Sequence, residues 1–239
     1  RPNDMINGKR FVAVIPARKG SKSVKRKNIR KLNNLPLISY TLNLARAISE
    51  LDFVVVTTDD PEVKAISLQS GLKVIERPAE LASDRASTEK VVLHTLRCLE
   101  DENRFYDYVV ILEPTTPFRT VETVRICLST IIEKDGDSLL TVKSVSSEFG
   151  QIDNGFFRPA FPDQPRRRQD RRPLFIEAGV AYVANINFLR RTKTLVTENW
   201  LAVIASNFEA HDINSPEDFQ YAEFLIRQKQ GNAGNEPNS

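Results

Sequence analysis

Strand-like and helix-like segments alternate from Arg10 to Val142, and this alternation limits the possible folds more than any other feature of the chain. Short runs rich in valine and isoleucine indicate buried strands. Amphipathic runs that begin with a proline or a capping residue indicate helices between them. A repeated order of strand, helix and strand predicts a mostly parallel sheet with helices on both faces. We therefore expect a doubly wound α/β fold.

The pattern places the elements as follows. The predicted strands are Arg10–Ile15, Phe53–Thr57, Leu72–Ile75, Tyr108–Leu112, Ser138–Val142, Gly179–Ala184 and Leu201–Ala205. The predicted helices are Leu37–Ile48, Asp60–Gln69, Ser87–Glu100, Val121–Glu133, Asn187–Arg191 and a last one from Ser215 to about Gln228. Because ligands of such sheets bind beyond the carboxyl ends of the strands, a site is expected in the segments Pro16–Asn28, Thr58–Asp60, Glu76–Ser87 and Glu113–Arg119.

The alternation stops between Lys143 and Glu177, where prolines, glycines, aromatic residues and a dense arginine cluster occur together. This composition favours an excursion of short strands and loops over a flexible linker. We interpret it as a small lobe inserted, at about 143–177, into a domain that spans residues 5–229. The last segment, 230–239, is rich in glycine and asparagine and is expected to be disordered.

Composition excludes several classes of protein. The chain carries 34 basic and 31 acidic side chains, a net charge of +3, and this near balance does not favour nucleic acid as a partner. Apolar runs are strand-sized and fall short of the roughly 20 residues that span a bilayer, and the polar start does not resemble a signal peptide. Cys98 and Cys127 lie in helical patterns without metal-ligand spacing, which indicates buried thiols in a reducing compartment.

A basic loop follows the first strand directly, with the sequence Pro16-Ala17-Arg18-Lys19-Gly20-Ser21-Lys22. Glycine and serine let backbone N–H groups face outward, and the surrounding cations suit a polyphosphate. The loop is neither a Walker loop nor a G-x-G-x-x-G motif. A loop that is merely solvated is the alternative, but its place at the carboxyl end of a strand favours phosphate binding.

The stretch VIPARKGSKSVKRKNI resembles the signature of the acylneuraminate cytidylyltransferases, which make CMP-activated sialic and related nonulosonic acids. Three later segments agree in order and spacing: RPAELASD at 77–84, EPTTPFR at 113–119 and DIN at 212–214. The resemblance covers about Phe11 to Phe224, and the related KDO cytidylyltransferases are less similar. It implies a nucleotide-diphospho-sugar transferase-like fold, a homodimer, CTP and a sugar acid as substrates, and Mg²⁺ or Mn²⁺ as cofactor.

The resemblance also implies roles for individual residues. It places CTP against Ala17, Arg18, Ser21, Lys22, Lys27, Asn28, Arg77, Ala86 and Ser87. The last three match positions that read the cytosine, and the loop cations match phosphate contacts. Asp84 fits a cap for the following helix as well as it fits a ligand role. The residues expected to carry catalysis are Arg18, Lys22, Lys27 and Asp212.

The implied reaction is an in-line attack by the anomeric hydroxyl of the sugar acid on the α-phosphorus of CTP, with a divalent cation to neutralise charge. The sequence departs from the family twice: the second Asp of the metal motif is Asn214, and the sugar-contacting Gln is Glu113. Our hypothesis is that Glu113 supplies the lost carboxylate and holds the metal with Asp212. The alternative is that Glu113 hydrogen-bonds the sugar and Asn214 is a weak ligand through its carbonyl.

The arginine cluster of the lobe comprises Arg166, Arg167, Arg168, Arg171 and Arg172. The family uses arginines in this region to clamp the sugar carboxylate, for which a bidentate fork is suited. We expect Arg166 and Arg172 to contact the sugar, together with Glu113 and Thr115. The other arginines would line the rim or meet a second subunit, and a solvated basic strip is the alternative for some of them.

We therefore predict a CTP-dependent cytidylyltransferase that acts on a nonulosonic acid. The alternatives are a nucleotidyltransferase for KDO or a hexose 1-phosphate, and a binding protein that has lost turnover. The apparent lack of a further C-terminal domain resembles the short bacterial enzymes and implies a cytoplasmic location, without a membrane or nucleic-acid partner. The choice among N-acetylneuraminate, legionaminate and pseudaminate stays open, although Glu113 points away from plain N-acetylneuraminate.

Overall fold

The structure, a computed structural model, describes residues 6–20, 23–83 and 85–233. The strands are β1 (Phe11–Pro16), β2 (Lys31–Leu32), β3 (Leu35–Pro36), β4 (Phe53–Thr58), β5 (Lys73–Glu76), β6 (Tyr108–Ile111), β7 (Ser138–Val145), β8 (Gly150–Asp153), β9 (Phe156–Pro159), β10 (Leu174–Asn185) and β11 (Leu201–Ile204). The helices are α1 (Leu37–Ala47), α2 (Pro61–Gln69), α3 (Thr88–Asp101), α4 (Val121–Glu133), α5 (Ile186–Thr192) and α6 (Pro216–Ala233).

Seven strands form the central sheet in the order β11-β7-β10-β6-β1-β4-β5. Every neighbouring pair is parallel except the two that involve β10, which runs antiparallel to both β6 and β7. The predicted mostly parallel, doubly wound sheet is confirmed. The hairpins β2–β3 and β8–β9 lie outside this sheet.

The side chains of β1 show why the sheet is covered on both faces. Phe11, Ala13 and Ile15 pack into one core with residues of α1, α2 and α4. Val12 and Val14, which point to the opposite face, pack into a second core with residues of α3 and α5. All five side chains are fully buried, as expected for a central strand of a doubly wound sheet.

The chain reverses its direction of travel across the sheet at β1. From β1 it passes to β4 and β5 on one side, and it then returns to place β6 on the other side. The crevice beyond the carboxyl ends of β1 and β6 is therefore the topological switch point, where sheets of this kind bind ligands. The segments that follow these two strands are the basic loop and the segment Glu113–Arg119.

Several boundaries differ from the prediction. Strand β10 begins at Leu174 rather than Gly179, and β7 runs to Val145, so the main sheet itself extends into the predicted lobe. Helix α6 continues to Ala233, past the predicted end at Gln228, so the first residues of the predicted disordered tail are helical. The rest of that tail, 234–239, lies outside the described residues.

Two further observations concern the helices and the cysteines. Within the described residues, no helix is both long and apolar enough to cross a membrane. Cys127 is buried and Cys98 is half-buried, and both are free thiols. The predicted burial of the cysteines thus holds for Cys127 and is only partial for Cys98.

Candidate active site

A cavity of about 190 Å³ opens at the switch point, beyond the ends of β1 and β6. Loops from distant parts of the chain converge on it, and its lining includes Arg18, Gly20, Lys27, Arg77, Ala86 and Glu113. Of these six residues, three carry cationic side chains and one carries a carboxylate. Such a lining suits a polyanionic ligand.

Two hydrogen bonds anchor Arg18 and Lys19 of the basic loop. The buried amide of Asn28 donates from Nδ2 to the carbonyl oxygen of Arg18 at 3.0 Å. The backbone N–H of Lys19 donates to Oδ1 of Asp59 at 2.8 Å, which ties the loop to the end of β4. These bonds bring Arg18 and Lys27 to the same cavity although they lie nine positions apart in the chain.

Arg77 forms the far wall of this cavity. Its guanidinium is buried and donates to the carbonyl oxygen of Thr57 at 3.0 Å. Burial lowers the pKa of Arg77, against an opposing effect of the Asp59 carboxylate. Its Nε has no hydrogen-bond partner among the described residues. A buried donor of this kind is costly unless a ligand satisfies it.

A second cavity, of about 280 Å³, adjoins the first, and Glu113 and Thr115 line both. The second cavity is also lined by Lys143, Glu177, Tyr182 and Asp212. Glu177 accepts a hydrogen bond from the Tyr182 hydroxyl, and burial, reinforced by that bond, raises the pKa of Tyr182. Two ligands that occupied these cavities would meet at Glu113.

Strand β10 bends at the second cavity. Gly179 adopts a φ of +64°, in the left-handed region that favours glycine, and the pairing with β7 is irregular between Glu177 and Tyr182. The hydroxyl of Thr141 accepts from the N–H groups of Val180 and Ala181 at 2.9 and 3.1 Å. This bend lets Glu177 and Tyr182 line the same cavity.

The guanidinium of Arg119 lies buried beneath Glu113. It donates to the carbonyl oxygen of Glu113 and to the hydroxyl of Thr116. Burial lowers the pKa of Arg119 to about 10, and the carboxylates of Glu113 and Asp212 oppose this effect. The group therefore stays charged at neutral pH.

The carboxylate of Glu113 is half-buried. Burial raises its pKa, the nearby Asp212 carboxylate raises it further, and the cations of Arg119 and Lys27 oppose both. The two carboxylates thus repel each other across the second cavity. A cation placed between them would remove that repulsion.

Asp212 sits on a loop that Asp218 organises. The carboxylate of Asp218 accepts from the N–H groups of Asn214 and Ser215 at 2.9 and 2.8 Å, at the start of α6. The side-chain amide of Asn214 donates to Oδ2 of Asp212 at 2.5 Å. Asn214 thus supports Asp212 through its nitrogen, whereas an Asp at this position would add a second negative charge beside it.

The donor set fits a hard divalent cation that is shared with a ligand. Within the described ranges, no group of three or more His, Cys, Asp or Glu side chains could hold a metal ion. Glu113 and Asp212 supply two carboxylates at one cavity. Mg²⁺ commonly takes one or two carboxylates and completes its shell with phosphate oxygens and water.

The comparisons with known proteins agree with this geometry. A family model described as cytidylyltransferase matches residues 12–155. The chain belongs to the cytidylyltransferase family. Its predicted resemblance to the acylneuraminate enzymes is confirmed by the relatives described next.

One relative is CMP-N,N'-diacetyllegionaminic acid synthase of Legionella pneumophila, 30% identical, with 92% of this chain and 98% of the relative aligned. Another is N-acylneuraminate cytidylyltransferase of Escherichia coli, 29% identical over 92% of this chain, which spans only 52% of that enzyme. A structure of CMP:2-keto-3-deoxy-manno-octonic acid synthetase complexed with CTP superposes with a TM-score of 0.70 at 17% identity, covering 92% of this chain and 99% of the other. The last comparison supports the fold alone.

The structure brings together most of the residues predicted to bind CTP in this cytidylyltransferase. Those that line the first cavity are Arg18, Lys27, Asn28, Arg77 and Ala86. Ala17 is instead buried in the core. Ser87 caps α3, its hydroxyl accepting from the N–H of Lys90 at 3.4 Å, and it does not line the cavity. Ser21, Lys22 and Asp84 lie outside the described residues.

The predicted sugar residues divide into two groups. Glu113 and Thr115 line the second cavity. Arg166 and Arg172 are exposed in the lobe and line neither cavity of their own chain. Arg171 donates to the carbonyl oxygens of Pro165 and Arg166 at 2.8 and 2.9 Å, so it serves the structure of the lobe.

Sequence reasoning missed several residues of the site. Glu177 and Tyr182 fall in a region where the strand pattern is irregular, so no periodicity pointed to a shared cavity. Arg119 belongs to the recognised EPTTPFR segment. Its charge, next to apolar and hydroxyl residues, was the signal that could have indicated a role in the site. Lys143, by contrast, directly follows the predicted strand Ser138–Val142, a position that made it a candidate contact for a carboxylate or phosphate, and it lines the second cavity.

Proposed function

We propose that this cytidylyltransferase transfers CMP from CTP to the anomeric hydroxyl of a nonulosonic acid. The observation that carries the proposal is the junction of two cavities at Glu113 and Thr115. The cationic cavity suits the triphosphate and base of CTP. The neighbouring cavity, with Lys143 among its donors, suits a sugar acid.

The chemistry replaces a phosphoanhydride bond of CTP with a phosphoester bond to the sugar acid. The anomeric oxygen bonds to the α-phosphorus, the bond from the α-phosphorus to the bridging oxygen breaks, pyrophosphate leaves, and the hydroxyl proton passes to water. Such a reaction depends on positioning and on neutralisation of charge. Arg18 and Lys27 would bind the phosphates, and Arg77 would face the base.

Glu113 and Asp212 would hold the divalent cation, Mg²⁺ or Mn²⁺. When bound, the cation neutralises the charge that develops on the phosphate oxygens. The two carboxylates would bind the cation at the second cavity, which both of them line. Lys27 lies within electrostatic reach of both carboxylates and orients the same region from the phosphate side.

We also propose that the lobe pairs with a second copy of the chain. Its hairpin and the segment beyond it expose apolar side chains to an unusual extent: Ile152 is 80%, Phe156 64% and Phe157 55% exposed. Exposed apolar patches of this kind mark interaction surfaces. In such a dimer, Arg166 and Arg172 would reach the sugar site of the partner.

We place the reaction in the cytoplasm. The free thiols of Cys98 and Cys127 support a reducing compartment. Neither nucleic acid nor a membrane is needed as a partner for this reaction.

Pyrophosphate release tests the proposal. The protein is incubated with CTP, Mg²⁺ and a panel of N,N'-diacetyllegionaminate, N-acetylneuraminate, pseudaminate and KDO. Turnover is expected with at least one nonulosonic acid, and the Legionella relative makes diacetyllegionaminate the first to test. Measurable CTP binding without turnover of any acid would support a non-catalytic binding protein instead.

A further inference from the structure

A buried carboxylate outside both cavities joins the two segments that carry Glu113 and Asp212. Glu209 lies on the segment after β11 and is only 7% exposed. It forms no salt bridge with the described residues. Its Oε1 reaches the start of α4, and its Oε2 binds Ser206, three residues earlier in its own segment.

Oε1 of Glu209 binds the start of α4. It accepts from the hydroxyls of Thr120 and Thr123 at 2.7 and 2.6 Å, and from the N–H of Thr120 at 3.2 Å. Thr120 is the N-cap of α4 and follows the Glu113–Arg119 segment directly. A negative charge at this helix end is also favoured by the helix dipole.

Oε2 of Glu209 binds the segment that leads to Asp212. It accepts from the hydroxyl and the N–H of Ser206 at 2.8 and 3.2 Å. Burial opposes ionisation of Glu209, but these hydrogen bonds outweigh it, and its pKa is lowered. The ionised carboxylate is therefore the form that joins the two segments.

Two other contacts run parallel to this link. The rings of Phe118 and Phe208 stack with centroids 4.6 Å apart. The N–H of Ile213 donates to the carbonyl oxygen of Thr115 at 2.9 Å. All three contacts join residues 113–123 to residues 206–213, and Glu209 is the one that combines charge with burial.

We propose that Glu209 is a positioning residue, which fixes the distance between Glu113 and Asp212 and so prepares the cation site. This inference rests on the proposed function, in which those two carboxylates hold Mg²⁺. Glu209 itself touches neither substrate nor cation. Its effect reaches the site through the two segments that its oxygens join.

Glu209→Gln tests the link with little change in size. One end of the glutamine amide is NH₂ and cannot accept hydrogen bonds. The backbone N–H of Thr120 or that of Ser206 then loses its acceptor, whichever way the amide is oriented. Because the hydroxyls can reorient and the backbone groups cannot, the link loses either its backbone bond to the start of α4 or the backbone bond to Ser206 that holds the Glu209 side chain in place.

Three measurements follow for Glu209→Gln. Because loss of a group that orients a metal ligand costs about 10- to 100-fold in metal affinity, we expect the half-saturating Mg²⁺ concentration for pyrophosphate release to rise about 10-fold or more. Mn²⁺ binding in the presence of CTP alone, followed by EPR, should weaken in parallel. Hydrogen exchange of residues 206–213 should accelerate in the protein without metal or nucleotide.

Ser138→Ala is the matched control. It removes another buried hydrogen bond, 2.6 Å from Oγ of Ser138 to the carbonyl oxygen of Leu195, away from both cavities. An equal loss of Mn²⁺ affinity in Ser138→Ala would overturn the proposal, since general loosening would then explain the effect. Unchanged Mn²⁺ binding and exchange in Glu209→Gln would overturn it as well.

Two further outcomes are distinguishable. If Glu209→Gln does not fold, Thr123→Val is the second variant, because it removes only one of the bonds to Oε1. The same three measurements on Thr123→Val, with a smaller shift expected, then test whether Glu209 positions the cation site. If the unaltered protein releases no pyrophosphate, the proposed function fails. Hydrogen exchange and Mn²⁺ binding still show whether Glu209 joins the two segments.

Discussion

The amine of Lys27 donates a hydrogen bond of 2.8 Å to the carbonyl oxygen of Ile213, the residue directly after Asp212. This bond joins the segment that follows β1 to the loop before α6. It holds a half-buried cation beside the Asp212 and Glu113 carboxylates, which oppose the lowering of the pKa of Lys27 by burial. The phosphate side and the carboxylate side of the site are therefore one connected structure.

Lys27→Met should reduce kcat/KM for pyrophosphate release strongly. Removal of one preorganised donor to developing charge typically costs about 100- to 1,000-fold, and we expect a loss in this range. Lys134→Met, which removes an exposed lysine at the far end of α4, serves as the control. Activity of Lys27→Met within a few-fold of the unaltered protein would show that Lys27 is not needed for transfer.

Glu113→Gln should weaken the response to Mg²⁺ more than the response to the sugar. Loss of a residue that only orients a metal ligand typically weakens metal binding about 10-fold or more. Because Glu113 is proposed to bind the metal directly, its loss should raise the half-saturating Mg²⁺ concentration by at least this factor. The measurement is a Mg²⁺ titration of pyrophosphate release at saturating CTP and sugar. Unchanged Mg²⁺ dependence with an altered sugar KM would assign Glu113 to the sugar instead.

The same substitution should stabilise the protein when metal is absent. The pKa of Glu113 is raised in the folded state, above its ordinary value of 4.5. The folded protein therefore binds a proton more tightly than the unfolded chain, and the free energy of unfolding falls as pH rises through this window. At pH 7.5 Glu113→Gln should unfold at higher urea than the unaltered protein.

That stability difference should shrink as pH falls towards 4.5, where Glu113 becomes protonated. Urea titrations in EDTA at pH 7.5 and pH 5 measure it, with the exposed Glu133→Gln as the control. If the unaltered protein were the more stable at pH 7.5, ionised Glu113 would be a favourable rather than a costly feature of the fold.

Mixed subunits should reveal whether lobe arginines act in the partner's site. Lys27→Met and the double variant Arg166→Ala, Arg172→Ala are each expected to be nearly inactive. After random exchange in a dimer, half of the dimers are mixed, and each has one intact site built from both chains. Activity of the mixture should therefore recover to about a quarter of the unaltered level. If mass spectrometry shows that subunits have exchanged but activity does not recover, these arginines act in their own chain's site or have no part in catalysis.

The sequence predicted the sheet well where burial is periodic. The bounds of α4 match the prediction, and those of β1 and α3 agree within one residue at each end, because their apolar faces repeat at strand and helix spacing. The motif loops were also placed correctly at the carboxyl ends of the strands. Topology alone then brings Arg18, Arg77 and Glu113 to one cavity.

Contacts between residues far apart in the chain could not be predicted from the sequence. The early start of β10 was missed because Phe175, Ile176 and Glu177 are exposed and lack an alternating pattern. Glu209 is a single acidic residue in a loop, and three of its five acceptor contacts arise only when the start of α4 comes beside it. The relation of Arg166 and Arg172 to any sugar site depends on how the lobe is placed, which no local spacing encodes.

Strand β10 begins in the lobe and ends beside β6, and between these points it supplies Glu177 and Tyr182 to the second cavity. One continuous strand thus serves both subunit pairing and sugar recognition in the scheme proposed above. Engineering a new sugar preference on this strand would consequently change the mechanical support of the lobe. Libraries aimed at substrate scope should therefore be screened for assembly as well as for turnover.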